Sequence, residues 1–294
     1  MFTVKELLNL KNKTTIVMNK SKILVTASTG NVGLPLSIAL HEKGIPFKAA
    51  TRNAEKAFEK FGFETETAFL DFKDAAGFSE ALKGVETLFL CGPSATPGAE
   101  KLLVPLVEQA IEFGVKKFVF IASYPNIMSM IENSGKDYTF LRANFFMQNF
   151  ELYQTEDIRD QQQLFLPTGK GKAPYIDTHD IGKVAAEVIE NPSKFSKETL
   201  YLTGPEAIDL HQAAEIFSEV LGKKITFKEP DDEAYRKEME KRGFSKEYID
   251  AMIAVFGKIK KGQVAQTSDG IEKVLGKKPT TLNDYVERNK SVFM

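Results

Sequence analysis

From Ser21 to about Arg142 the chain alternates short apolar runs with amphipathic stretches, the pattern of repeated βα units and a parallel sheet. Strands are predicted at residues 22–26, 47–51, 67–70, 87–90, 118–122 and 139–142, with helices between them at 32–43, 54–61, 75–82 and 100–113. Gly44, Gly84 and Gly114 stand just past three of those helices, where a left-handed cap suits glycine. Pro35 falls in a first helical turn, where its missing N–H costs little. The expected fold class is therefore α/β, a Rossmann-type doubly wound parallel sheet.

Past Phe146 the alternation weakens. A helix starting near Tyr153 and running into a Gly/Pro-containing loop accounts for residues 153–172. A further helix is capped by Asp177 or Thr178, presents Ile181, Val184, Ala185, Val188 and Ile189 on one face, and stops at Asn191-Pro192. Residues 200–203 read as one more strand, 210–221 as a helix between Asp209 and Gly222, and 225–227 as a short strand, with further helices to the end. This divides the chain into a dinucleotide-binding unit over residues 21–204, of which 146–175 serve the substrate side, and a smaller α-rich subdomain over 205–294. Met18-Asn19-Lys20-Ser21 reads as a natural beginning, so residues 1–20 are expected to be an extension outside the fold.

Composition narrows the possible partners. With 294 residues and 43% hydrophobic content the chain can bury a large core. Its 39 Lys and Arg against 40 Asp and Glu leave a net charge of -1, so no broad field draws nucleic acid or an anionic membrane. One cysteine, Cys91, excludes an internal disulfide framework, and the scattered His41, His179 and His211 offer no metal-ligand spacing. No apolar run approaches the ~20 residues that cross a bilayer, and the beginning of the chain shows no secretory cleavage pattern. A cytoplasmic location is expected.

The chemistry concentrates where predicted strands end. Behind Ile23-Leu24-Val25, the turn Thr26-Ala27-Ser28-Thr29-Gly30-Asn31-Val32-Gly33 opens the first helix. There the backbone around Thr26, Thr29, Gly30, Asn31 and Val32 can meet a pyrophosphate at the positive end of the helix dipole. Ala27 stands where a G-x-x-G-x-x-G pattern would begin, and an ordinary strand-to-helix turn is the alternative. Arg52 follows the second strand, where NAD-selective sites carry an acid for the ribose 2′-OH. A guanidinium suits a 2′-phosphate, which favours NADP(H) over NAD(H). Asp71-Phe72 could border an adenine, or Asp71 could cap a helix. After the fourth strand, Gly92-Pro93 allows close backbone approach. Cys91 lacks a histidine nearby in sequence to generate a thiolate. Ser123 and Tyr124 are candidate catalytic hydroxyls for a substrate carbonyl, with turn chemistry before Pro125 as the alternative. The aromatics of residues 145–150 form either a wall for a flat apolar substrate or core.

These segments, with Gly114-Val115-Lys116-Lys117-Phe118-Val119-Phe120, Asp137-Tyr138-Thr139-Phe140-Leu141-Arg142, Asp180-Ile181-Gly182, Tyr201-Leu202-Thr203-Gly204-Pro205 and Thr267-Ser268-Asp269, resemble the NmrA-like atypical short-chain dehydrogenase/reductases. The similarity is to the branch of type-2 NAD(P)H:quinone oxidoreductases and triphenylmethane reductase. The resemblance implies a cofactor held by the Gly30 loop and Arg52, with backbone around Gly92, Ser123 and Asn144-Phe145-Phe146 lining the nicotinamide pocket. Two departures stand out: Ala27 in place of a first glycine, and a segment from Ser123 to Tyr138 shorter than the family's. No tyrosine is followed four residues later by lysine, so the superfamily's usual proton-transfer pair is missing. Two activities follow as expectations. One is hydride transfer from NADPH to a quinone or similar planar acceptor. The other is an NADP(H)-sensing regulator without turnover that reports to a protein partner.

Overall fold

The computed structural model describes residues 21–92, 96, 98–121 and 124–294. The expected N-terminal extension, residues 1–20, lies outside them. The first half builds a regular succession: β1 (Ile23–Val25), α1 (Gly33–Glu42), β2 (Lys48–Thr51), α2 (Ala54–Phe61), β3 (Glu66–Phe69), α3 (Phe78–Ala81), β4 (Thr87–Cys91), α4 (Ala99–Glu112), β5 (Lys117–Ile121), α5 (Pro125–Asn133) and β6 (Asp137–Ala143). Then come α6 (Gln148–Tyr153), α7 (Thr155–Asp160), β7 (Gln163–Leu164), α8 (Thr178–Glu190), β8 (Glu198–Leu202), α9 (Leu210–Leu221) and β9 (Thr226–Phe227). The chain closes with α10 (Asp232–Lys241), α11 (Lys246–Lys260), α12 (Gly270–Leu275), α13 (Leu282–Arg288) and α14 (Lys290–Phe293).

Seven strands pair in the order β3-β2-β1-β4-β5-β6-β8, every pairing parallel. Such a sheet needs both faces covered. One face is packed by α1, α8 and α12 through Leu36, Leu40, Ile181, Val184 and Ile271. The other is packed by α3, α4 and α5 through Phe78, Leu103, Leu106, Ile127 and Ile131. A third apolar cluster joins residues 147–175 with α9, α10, α11, α13 and α14 and centres on Phe150, Phe217, Tyr285 and Phe293. This is the smaller α-rich part, and β7 and β9 pair parallel within it.

Departures from the sequence reading are local. The helix expected at residues 75–82 is a 3₁₀ turn over Ala75–Gly77, capped by Asp74, and then the single turn α3. Around Tyr153 there are two short helices. The break falls at Gln154, whose buried amide donates to the Tyr153 carbonyl and accepts from the Phe165 N–H, so the side chain competes with the helical ladder. Helix α5 had no counterpart in the predicted elements, although Pro125 at its first turn and the buried Ile127 and Ile131 signal it.

Candidate dinucleotide site and adjoining aromatic cavity

Strand order reverses between β1 and β4, the position at which open parallel sheets bind ligands beyond their carboxyl ends. There a cavity of ≈ 830 Å³ opens, lined by Thr29, Gly30, Asn31 and Val32 of the turn after β1, Arg52 after β2, Asp71 and Phe72 after β3, and Gly92 after β4. The turn is held from both sides. Ser28 Oγ donates to the Ala50 carbonyl at 2.8 Å, Gly30 N donates to Ala27 O at 2.8 Å, and Lys60 Nζ donates to Thr29 O at 3.2 Å. The amides of Asn31 and Val32 donate to no acceptor among the described residues, and the N-terminus of α1 has no side-chain cap. Unsatisfied donors at a helix N-terminus form an anion site.

Ala27 and Gly33 explain the shape of the turn. Ala27 has φ 48, the left-handed region that a glycine would enter freely. A Cβ on Gly33 would stand 2.1 Å from Ala27 O, so only glycine lets α1 begin directly under the loop. Further round the rim, Lys56 and Lys60 of α2 and Lys73 line the same cavity as Arg52. All four are exposed, and Asp71 supplies the one carboxylate among the lining residues. The sequence reading singled out Arg52 and passed over Lys56 and Lys60. Their spacing of four on a short helix, four and eight residues past Arg52, was the available signal. Uncapped amides and a cationic rim fit a phosphorylated dinucleotide.

Four expected contacts are redirected. Thr26 is fully buried: its hydroxyl donates to the Phe89 carbonyl at 3.0 Å and accepts from Cys91 N at 2.8 Å, clamping β1 to β4 below the cavity. Asn144 donates its amide to the Val264 carbonyl and accepts from Phe145 N, so it anchors the C-terminal return of the chain. Phe145 lines a different cavity, described below. Tyr124 lines neither cavity. Its ring stacks on Phe120 at 6.5 Å, and burial, with Cys91 and Glu100 nearby, holds its phenol above the ordinary range. Pro93 and Ser123 lie outside the described residues. Cys91 lines the dinucleotide cavity, and burial pushes its thiol up to about 12, so it is a protonated wall rather than a nucleophile.

The second cavity, ≈ 80 Å³, lies between the segment after β6 and helices α10 and α11. Phe145, Phe146, Phe150 and Tyr175 line it from the segment after β6, and Tyr235, Met239, Phe244, Tyr248, Met252 and Phe256 from α10, α11 and the turn joining them. None of its lining residues carries a formal charge. Burial raises the phenols of Tyr175, Tyr235 and Tyr248, so they too stay protonated. Phe146 lines both cavities and is the wall they share.

A glycine-rich turn with free amides at the switch point of a seven-stranded parallel sheet defines an NAD(P)H-binding Rossmann protein, and residues 27–128 match the NAD(P)H-binding domain family. Residues 123–286 match the NmrA-like family, and the chain belongs to it. Among its relatives, Prestalk A differentiation protein A of Dictyostelium discoideum is 30% identical over 95% of this chain and 96% of its own. The NAD(P)H azoreductase of Xenophilus azovorans is 28% identical over 92% and 99%. The NADPH-dependent quinone oxidoreductase of Escherichia coli complexed with NADPH shares the fold, with TM-score 0.81 and 23% identity over 91% of this chain and 99% of its own. Among the described residues no His/Cys/Asp/Glu group could hold a metal ion, and no helix is long and apolar enough to cross a membrane.

Proposed function

We propose that the protein is an NADPH-dependent reductase whose acceptor is a planar, uncharged molecule of the quinone type, seated in the aromatic cavity. The observation that carries this reading is the pairing of the two cavities across Phe146, one rimmed by Arg52, Lys56, Lys60 and Lys73, the other aromatic and without charge. The amides of Asn31 and Val32 would hold the pyrophosphate. Arg52, with Lys56 and Lys60 beside it, would hold the 2′-phosphate, which favours NADP(H) over NAD(H). Bound there, the nicotinamide supplies a hydride, the two electrons and one hydrogen that with a proton from solvent turn a quinone into a hydroquinone. The chain orients the acceptor, excludes water through Phe145, Phe146 and Phe150, and leaves the reacting ring without a competing charge. No Asp, Glu, His, Lys or Arg lines the aromatic cavity, and burial keeps the phenols of Tyr175, Tyr235 and Tyr248 protonated, which matches an activated acceptor better than an alcohol, whose oxidation needs a base.

The relative named as an NAD(P)H azoreductase supports a reductase reading. A second reading, a nicotinamide-sensing regulator, is favoured by the relative named for differentiation rather than for catalysis. One assay separates them. Steady-state oxidation of NADPH is followed with a panel of single-ring and two-ring quinones, alongside direct titration of NADPH. Saturable, acceptor-dependent turnover is expected. NADPH binding with no turnover on any acceptor would replace the reductase with the regulator.

A further inference from the structure

Thr168 is completely buried, and its hydroxyl has no hydrogen-bond partner among the described residues. It lies on the wall of the aromatic cavity. Buried hydroxyls are almost always paired, and an unpaired one is a standing cost to the fold. The surrounding loop fixes Thr168 rather than letting it relax. Thr168 N donates to Leu166 O at 3.0 Å and Gly171 N donates to Thr168 O at 3.2 Å. Gly169 takes φ 58 against Lys260, and a Cβ on Gly171 would stand 2.0 Å from Ile259 O, so the loop is pressed onto the end of α11. Asn149, which lines the same cavity, adds a carboxamide that hydrogen-bonds to no described residue.

We infer that Thr168 is the specificity-determining residue of the aromatic cavity: its hydroxyl anchors the oxygen of an uncharged, single-ring aromatic ligand whose ring is held by Phe146, Phe150 and Tyr248. The class follows from size and charge. An apolar cavity of about 150 Å³ accepts benzene, and this one is ≈ 80 Å³. Even one ring therefore requires the walls to yield, which the unbranched Met239 and Met252 allow, and two fused rings would require far more. An ionised ligand would lose its hydration with no opposite charge to receive it. A hydroxyl both donates and accepts, so Thr168 can serve a quinone carbonyl or a phenol. As the anchor of a hydride acceptor this rests on the reductase reading above; as a ligand site it does not.

The test uses the full chain and the variants Thr168→Val, which keeps the shape, and Thr168→Ser, which keeps the hydroxyl. With 2,6-dimethyl-1,4-benzoquinone and NADPH, Thr168→Val is expected to raise KM about tenfold, to leave the Kd of NADPH unchanged, and to leave Tm equal or higher because the unpaired hydroxyl is gone. Thr168→Ser should return KM toward the wild-type value. A wild-type KM in Thr168→Val overturns the assignment. Should the wild-type protein turn over no quinone, calorimetric titration of that same protein with p-cresol and toluene decides the matter without any variant. Tighter binding of p-cresol by about tenfold is expected, and equal binding of the two, or none, overturns the proposal.

Discussion

At Ala27 a single methyl group works against the dinucleotide turn. The residue holds φ 48, a region that costs an L-residue about 1 kcal/mol or more. Ala27→Gly is therefore expected to stabilise the protein by up to ~1 kcal/mol, less the entropy glycine gives back to the unfolded chain. Differential scanning calorimetry would register this as a Tm rise of about 2 °C; a fall would show that the methyl group is contributing packing. Arg52 poses a question of affinity rather than stability. It is exposed on the cavity rim beside Lys56 and Lys60, and a charge-assisted hydrogen bond to a 2′-phosphate is worth roughly 1.5–3 kcal/mol. Arg52→Ala should weaken NADPH binding about ten- to a hundredfold and leave NADH nearly unchanged. Fluorescence titration with both coenzymes checks it, and equal weakening of the two would refute the 2′-phosphate role.

Among the elements, helix contact decides what periodicity alone could not. The amphipathic pattern of α8 was readable from Ile181 to Ile189, and so was a cap at Asp177 or Thr178; the structure uses Asp177, whose side chain accepts from His179 N. The pattern could not show that Gly182 is the point where α8 meets α1. A Cβ there would lie 2.7 Å from Leu36 N and from Pro35 Cβ, so the two helices touch backbone to backbone and cover one face of the sheet together. Gly182→Ala should cost about 1–3 kcal/mol by overpacking, read as a lower urea midpoint. An unchanged midpoint would mean that the two helices separate freely. The same limit applies near Tyr153, where periodicity begins one helix and the structure ends α6 and begins α7. What splits them is a tertiary partner, Phe165, eleven residues away from Gln154.

For the whole molecule, Asp177 ties the sheet unit to the smaller helical part. Its side chain is fully buried and accepts from Gln148 of α6, His179 N of α8 and Arg288 of α13. Burial alone would raise this carboxyl, but hydrogen bonds from His179, Gln148 and Arg288 outweigh it and hold the group far below the usual carboxylate range. A carboxyl lowered in the folded state contributes stability that is complete above its unfolded pKa of about 3.9 and is lost as pH falls below that. Urea midpoints should therefore drop between pH 5 and pH 3 (roughly one unit either side of that value), and Asp177→Asn should flatten the drop while starting from a lower midpoint. An identical pH slope in the variant would remove Asp177 from the account.

The sequence by itself determined the strand and helix alternation, the turn at Gly30 and the cation at Arg52. These depend on neighbours a few residues apart: β1 must end before a helix can begin, and Gly33 is demanded by Ala27 only six positions away. Only the tertiary structure decided that Thr26 and Asn144 are clamps, that Lys56 and Lys60 join Arg52 at one rim, and that residues from Phe145 to Tyr175 meet those from Tyr235 to Ile259 around a second cavity. The physical reason is that a cavity is the gap left when separate helices pack. Its walls come from positions far apart in the chain, and no local pattern of apolar and polar residues distinguishes an aromatic lining from an aromatic core.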